Sequence, residues 1–329
     1  MGDFMKQKRI LPFLLAAALL LGLTGCGGDP SASSSLSEEP EDTEYPVSIG
    51  GETISAKPEK VVSLSPALTE LCFDMGYGDQ LTGVSDYCDW PQSAQNLPRM
   101  GTAQQPDLDD IRAEKPDVVI THTALSEPDL IALQQADIPV VVLSRARLPE
   151  DLKDLYVDLG RLFEGEQAGA ETGKAFYNEQ MGRVESVREK VDSYVRGGGK
   201  KLSAVYLRML DFTVATGDTF EGAMLEAIGL ENAAGAYGGW TYPLDFIGQY
   251  DPDVIFCNED ITIPMLEQNA NYKGLQATIH DIVYSYPFTA FERQGKRMFD
   301  MLEDMAQKAY PDAFTETAGE TQSSAEAGQ

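Results

Sequence analysis

The residues best placed to do chemistry include an acidic pattern that occurs twice. Leu108 to Ile120 reads Leu-Asp-Asp-Ile-Arg-Ala-Glu-Lys-Pro-Asp-Val-Val-Ile, and Leu244 to Phe256 reads Leu-Asp-Phe-Ile-Gly-Gln-Tyr-Asp-Pro-Asp-Val-Ile-Phe. Both follow Leu-Asp-x-Ile, four residues, then Pro-Asp-Val and an apolar end. A carboxylate in the first turn of a short helix is favoured by the helix dipole. Two of them, Asp109 and Asp245, would occupy matching surface points of two halves. A carboxylate pair in a cleft could instead serve as acid and base of a hydrolase. Other catalytic signals are thin. The two histidines, His122 and His280, lie far apart in sequence, unlike the imidazole cluster of a zinc importer. Neither Gly-x-Ser-x-Gly nor His-Glu-x-x-His occurs. Gly197-Gly198-Gly199 before Lys200 lacks the spacing of a phosphate loop.

The repeats also announce architecture. Proline closes each short helix by driving the preceding residue out of helical geometry. The apolar run that follows is a buried parallel strand, so two copies predict two similar lobes. Strand and helix alternate in the first half: Lys60 to Ser65, a helix to Met75, Leu81 to Ser85, the first repeat, a helix over Leu125 to Ala136, then Ile138 to Leu143. The second half restarts at Leu202 to Leu207, with strands at Thr213 to Gly217, Val254 to Cys257 and Ile282 to Tyr286. A helix over Ala290 to Tyr310 closes it. This alternation is the mark of α/β units with right-handed crossovers. Between the halves, Leu152, Leu155, Leu159 and Leu162 stripe one helix. Phe176, Met181, Val184, Val187 and Val191 stripe a second, from about Gln167 to Val195, long enough to act as a spine.

The chain has 329 residues and a net charge of −28. So acidic a surface argues against nucleic acid as a partner. Lys6, Lys8 and Arg9 precede the apolar run Ile10 to Leu23, which is short for a membrane span and has the form of a signal sequence. The run ends in Leu23-Thr24-Gly25-Cys26. Gly27 to about Tyr45 is small, polar and acidic, the composition of a flexible stalk. Besides Cys26, three cysteines remain, Cys72, Cys88 and Cys257. An odd count excludes a fully paired framework; Cys72 and Cys88 either pair or stay as buried thiols.

Leu23 to Cys26 resembles the lipobox of bacterial lipoproteins, which implies cleavage before Cys26 and a lipid anchor on it. From about Lys57 to Pro311 the chain resembles the substrate-binding lipoproteins of ABC importers for cobalamin, ferric siderophores and haem. The resemblance rests on Val61-Val-Ser-Leu-Ser-Pro-Ala-Leu-Thr-Glu70, Gly83-Val-Ser-Asp-Tyr-Cys-Asp-Trp-Pro91, Lys115-Pro-Asp-Val-Val-Ile120 and Gly238-Gly-Trp240. It implies an α/β fold of two Rossmann-like lobes, joined by one long spine helix, with the ligand cleft between them. The expected division is a leader at 1–25, the lipidated cysteine and stalk at 26–56, an N-terminal lobe at 57–150, linking helices at 151–197, a C-terminal lobe at 198–312 and a disordered tail at 313–329.

Open α/β sheets bind ligands at the carboxyl ends of their strands, so both lobes should turn those loops into one cleft. The loops carry Tyr87, Trp90, His122, Arg145, Arg147, Arg208, Met209, Trp240, Tyr242 and Phe288 to Arg293. Aromatics with a few cations suit a large, flat, partly anionic metal chelate. By the resemblance, Tyr87, Trp240 and Phe291-Glu292-Arg293 match pocket positions of cobalamin-binding relatives. Where those relatives carry aromatics, this chain has His122, Met209 and Ala103. The expected ligand contacts are therefore Tyr87, Trp90, His122, Arg208, Met209, Trp240, Tyr242 and Arg293. The resemblance implies a corrinoid or a ferric siderophore as the ligand, with haem behind them and His122 or a tyrosine as its axial ligand. The chain itself needs no cofactor, since the metal arrives within the chelate. Asp109 and Asp245 match, as shorter aspartates, the acids that dock on arginines of the permease subunits. The expected protein is a non-catalytic monomer, tethered through its lipid on the outer face of the cell membrane. A surface-anchored hydrolase using cleft carboxylates is the alternative.

Overall fold

The computed structural model describes residues 44–211, 213–243 and 251–315. Its elements in chain order are β1 (Val47–Ile49), β2 (Glu52–Ile54), β3 (Val61–Ser63), α1 (Pro66–Asp74), β4 (Leu81–Val84), α2 (Leu108–Glu114), β5 (Val118–Thr121), α3 (Glu127–Gln134) and β6 (Val140–Val142). Two helices follow, α4 (Leu152–Glu164) and α5 (Ala168–Arg196). The second half contains β7 (Ser203–Leu207), α6 (Phe220–Ala227), β8 (Glu231–Asn232), β9 (Val254–Asn258), α7 (Ile263–Gln268), α8 (Gln276–Ile279), β10 (Val283–Tyr286), α9 (Phe288–Glu292) and α10 (Lys296–Ala309).

Local chemistry explains the element ends. Ser65 caps α1 by accepting from the Leu68 N–H, with Pro66 in the first turn. Asp107 caps α2 through the Asp110 N–H, and Lys115 ends it in left-handed geometry just before Pro116. Alternate residues of the short strands then face opposite sides. Val61, Val118, Ile120 and Val141 join the central core, while Val62, Val119 and Val140 join the outer core of the first lobe. Each sheet is thus covered on both faces, as parallel sheets require.

The two sheets are wholly parallel, ordered β4-β3-β5-β6 and β10-β9-β7-β8. Read from the matching edge, both have their second strand outermost, then the first, third and fourth. The lobes are therefore repeats of one topology, and both acidic patterns feed the third strand, β5 or β9. Between them α5 runs for 29 residues, about 43 Å at the usual helical rise. It buries Gly173, Phe176, Gln180, Val184, Val187 and Val191. Where α4 crosses α5, a Cβ on Gly160 would stand 2.2 Å from the Gly169 carbonyl oxygen. Glycine lets the two helix backbones touch.

Four expectations change. Residues 44–56 are not stalk: Gly50 and Gly51, at φ +60° and +86°, turn the chain into the antiparallel pair β1-β2. Val47, Ile49 and Ile54 are buried there, and the Tyr45 hydroxyl donates to the Leu162 carbonyl at 3.0 Å. Thr213 to Gly217 is no strand; Thr213 and Val214 make isolated bridges to Thr241 and Leu207. The sheet's outer position goes to β8, too short to leave a sequence pattern. The last helix is broken at Gln294, which is left-handed at φ +61°. Finally, residues 313–315 pack rather than trail, with the Lys190 ammonium 5.2 Å from the centre of the Phe314 ring. The leader and Cys26, the Leu244–Tyr250 segment with Asp245, and the tail from 316 lie outside the described residues.

Candidate functional site

The carboxyl ends of both sheets face one cleft. Its N-terminal half is a cavity of about 480 Å³ lined by Ser65, Tyr87, Gln104, His122, Arg145 and Arg293 among others. Its C-terminal half, about 370 Å³, is lined by residues including Arg145, Arg208, Glu221, Trp240 and Phe288. Arg145 and Glu292 border both halves, and the Arg145 guanidinium donates to the Glu292 carbonyl.

His122 follows β5, and its Nδ1 lies 2.7 Å from the Leu143 carbonyl oxygen. A carbonyl only accepts, so Nδ1 carries the proton and Nε2 keeps its lone pair. Burial, assisted by the Arg145 charge, pushes the imidazole pKa down to about 4, against the pull of the Leu143 bond. The ring is neutral at pH 7 and fit to ligate a metal already held by something else. No cluster of three or more metal-ligating side chains exists among the described residues.

Tyr87 stands 72% exposed on the loop after β4. Arg99 anchors that loop, with Nη1 donating to the Ser85 and Cys88 carbonyls at 2.9 Å each. Arg208 follows β7 and holds its guanidinium 4.2 Å from the Phe288 ring centre and 5.4 Å from that of Trp240. The two rings meet edge to face at 5.6 Å. Neither Arg145 nor Arg208 has an ion-pair partner among the described residues, so both are open to an anionic group. Glu221, at the start of α6, is buried on the same wall. Its burial raises its pKa, while Arg145 and Arg208 pull the other way.

Other expected contacts are placed differently. Tyr242 is buried in the outer core of the second lobe, 4.8 Å from the Tyr237 ring, and is a packing residue. It shares that buried cluster with Val214 and Tyr272. Trp90 lies under Arg297 at 4.8 Å and lines neither half of the cleft. Met209 is exposed but likewise outside both lining sets. Arg293 reaches the cleft, yet its charge is met by Asp89 and by Glu70 at 3.5 Å. Partial burial would raise the Asp89 pKa; the Arg293 bond and charge outweigh it and hold the carboxyl below the usual range. Asp109 is well exposed on α2, 3.6 Å from Arg112, and lines neither cavity. It takes no part in acid–base chemistry there. Cys72, Cys88 and Cys257 are free and buried.

Reading the sequence missed the residues that tie the lobes beneath the cleft. Glu70 on α1 is fully buried. It accepts from Nε and Nη2 of Arg297 at 2.8 and 2.7 Å. Gln294 accepts from the Ala146 N–H at 3.1 Å and donates to the Ala146 carbonyl at 2.8 Å. An acid amid Leu68, Leu71 and Cys72 was the available signal for Glu70; Gln294 offered none.

Known proteins share this fold. A family described as "Periplasmic binding protein" matches residues 61–290. An ABC transporter substrate-binding lipoprotein of Bacillus subtilis, YvrC, itself uncharacterized, is 26% identical over 321 residues, 94% of this chain and 99% of that protein. A vitamin B12-binding protein of Pectobacterium atrosepticum is 30% identical over 138 residues, 41% of this chain and 48% of its own. Among solved structures, the haem-binding protein RhuT of Roseiflexus aligns with a TM-score of 0.65 at 18% identity, covering 78% of this chain and 99% of that one. The vitamin B12-binding protein BtuF of Vibrio cholerae aligns at 0.58 and 19% identity, covering 78% and 98%. These two structures share the fold of two α/β lobes with a long helix.

Proposed function

The chain belongs to the periplasmic binding protein family, whose members bind solutes rather than transform them, and we propose that it captures a metal chelate and delivers it to an ABC importer. The observation that carries this reading is the cleft itself. Two lobes of one topology turn their strand ends together, and the walls bring a neutral imidazole, two cations without acid partners and a packed indole into reach of one ligand. A flat chelate with anionic or polar edges is complementary to that set. A corrinoid or a ferric siderophore is the ligand class, and haem is the third candidate. The names of the B12-binding and haem-binding relatives support the range.

Delivery rests on acidic residues outside the cleft. Asp109, exposed on α2, is the docking acid of the first lobe, and Asp245 is its counterpart in the second repeat. Each would meet an arginine-bearing loop of a permease subunit. Lipid on Cys26 would keep the protein at the outer face of the membrane, as the lipoprotein relative suggests. No resident cofactor is required.

The test is a fluorescence titration of the purified full-length protein with cyanocobalamin, cobinamide, hemin and a set of ferric siderophores, corrected for absorbance. Saturable binding to one class is the expected result. Silence across the panel would overturn the chelate reading and leave the family untouched.

A further inference from the structure

Trp240 holds its place on the cleft wall against its own backbone preference. It sits at φ +61°, directly after Gly239 at φ +69°. A non-glycine residue keeps such geometry only where its surroundings enforce it. The bonds that enforce it come from within the chain.

The Gly239 N–H faces both carboxylate oxygens of Asp218, at 3.0 and 2.9 Å. The Trp240 N–H donates to the Thr216 hydroxyl oxygen at 3.2 Å, and the Thr216 hydroxyl donates to Asp218 Oδ1 at 2.7 Å. Gly238 completes the fit, since a Cβ there would stand 2.8 Å from Asp218 Oδ2. On the opposite side the indole meets Phe288 and Arg208.

We infer that Asp218 is a positioning residue for the binding site, acting through Thr216 and the 238–240 turn to present the Trp240 indole to the ligand. This rests on the reading of Trp240 as a wall of the chelate cleft. Asp218 lies between β7 and α6 and serves no helix cap; that role falls to Thr219, whose hydroxyl accepts from the Gly222 N–H at 3.0 Å. Asp218 also lines the cleft, and there its oxygens accept from the Gly239 N–H and the Thr216 hydroxyl.

The test uses the full-length protein carrying Trp90→Phe, which leaves Trp240 as the one indole of the chain's two. In that background, Asp218→Ala and Asp218→Asn are compared for emission maximum, acrylamide quenching and Kd for cyanocobalamin and hemin. The expected order is parent, Asn, Ala, because the Asn oxygen still accepts one N–H. The Ala variant should emit further to the red, quench more readily and lose about tenfold in affinity, the scale of a displaced aromatic anchor. An affinity loss with an unchanged indole spectrum would make Asp218 a direct ligand contact and overturn the inference. An unchanged spectrum and affinity would also overturn it. Should the Ala variant fail to fold, the Asn variant carries the same comparison. Should the parent bind neither probe, the emission and quenching data still decide whether Asp218 holds the turn.

Discussion

Glu70 and Arg297 form a two-pronged ion pair that spans the lobes. The carboxylate comes from α1 of the first lobe and the guanidinium from α10 of the second, at 2.8 and 2.7 Å. The carboxylate is shared with Arg293 at 3.5 Å, so one fully buried acid answers two arginines at the base of the cleft. Removing it leaves both cations short of a partner in a poorly hydrated place. Glu70→Ala should lower unfolding stability by about 3 kcal/mol, read from urea denaturation. A midpoint equal to the parent's would show that the pair is not a structural tie.

Asp74, on the same helix, accepts from the Lys296 N–H at 2.7 Å. Burial raises its pKa to about 6, with Glu70 adding to the rise and Lys296 and Arg297 opposing it. A raised carboxyl favours the folded state when protonated. Its contribution is therefore complete below the unfolded pKa near 4 and is lost as pH rises through about 6. Asp74→Asn should match the parent near pH 4 and exceed it by about 2 kcal/mol at pH 7, allowing for partial solvation. Parallel stability curves across that window would rule the assignment out.

His122 predicts a different profile. Its lowered pKa means that the neutral ring persists until pH falls through about 4. Affinity for a chelate ligated by Nε2 should stay flat from pH 8 to pH 5 and drop near pH 4. His122→Ala should shift the bound chelate's absorption bands. Identical spectra with and without the imidazole would remove it from the metal's coordination sphere.

Trp240→Ala should weaken ligand binding by tenfold or more, as for an aromatic anchor shielded from water. Isothermal titration gives the comparison, and equal affinity would demote the indole to packing.

The double substitution Asp109→Arg with Asp245→Arg should abolish uptake by cells while leaving ligand affinity unchanged. Charge reversal turns attraction into repulsion at an interface where close pairs contribute roughly 1.5–7 kcal/mol of coupling. Uptake at the parental rate would remove both residues from docking.

The fold was legible because buried parallel strands leave continuous apolar runs, and because the Pro-Asp-Val punctuation recurs before β5 and β9. The spine was legible from the spacing of Phe176, Val184, Val187 and Val191. Short or polar features escaped. The pairing of β8 depends on two residues with no pattern of their own. The Val47–Ile54 hairpin was hidden because its glycine turn shares the composition of the stalk before it. In the site, Tyr87, His122, Arg208 and Trp240 followed from their places after strands. Tyr242 follows the same rule and still turns inward, since loop position does not decide on which side of the chain an aromatic packs. Arg293 was visible as a cation but not as a compensated one, because Glu70 lies more than two hundred residues earlier in the chain.

The amide of Gln294 grips the backbone of Ala146 from both its donor and its acceptor side, just beneath the opening. Such a rivet fixes the distance between the walls above it. Any change of width there has to break both bonds of the one amide at once.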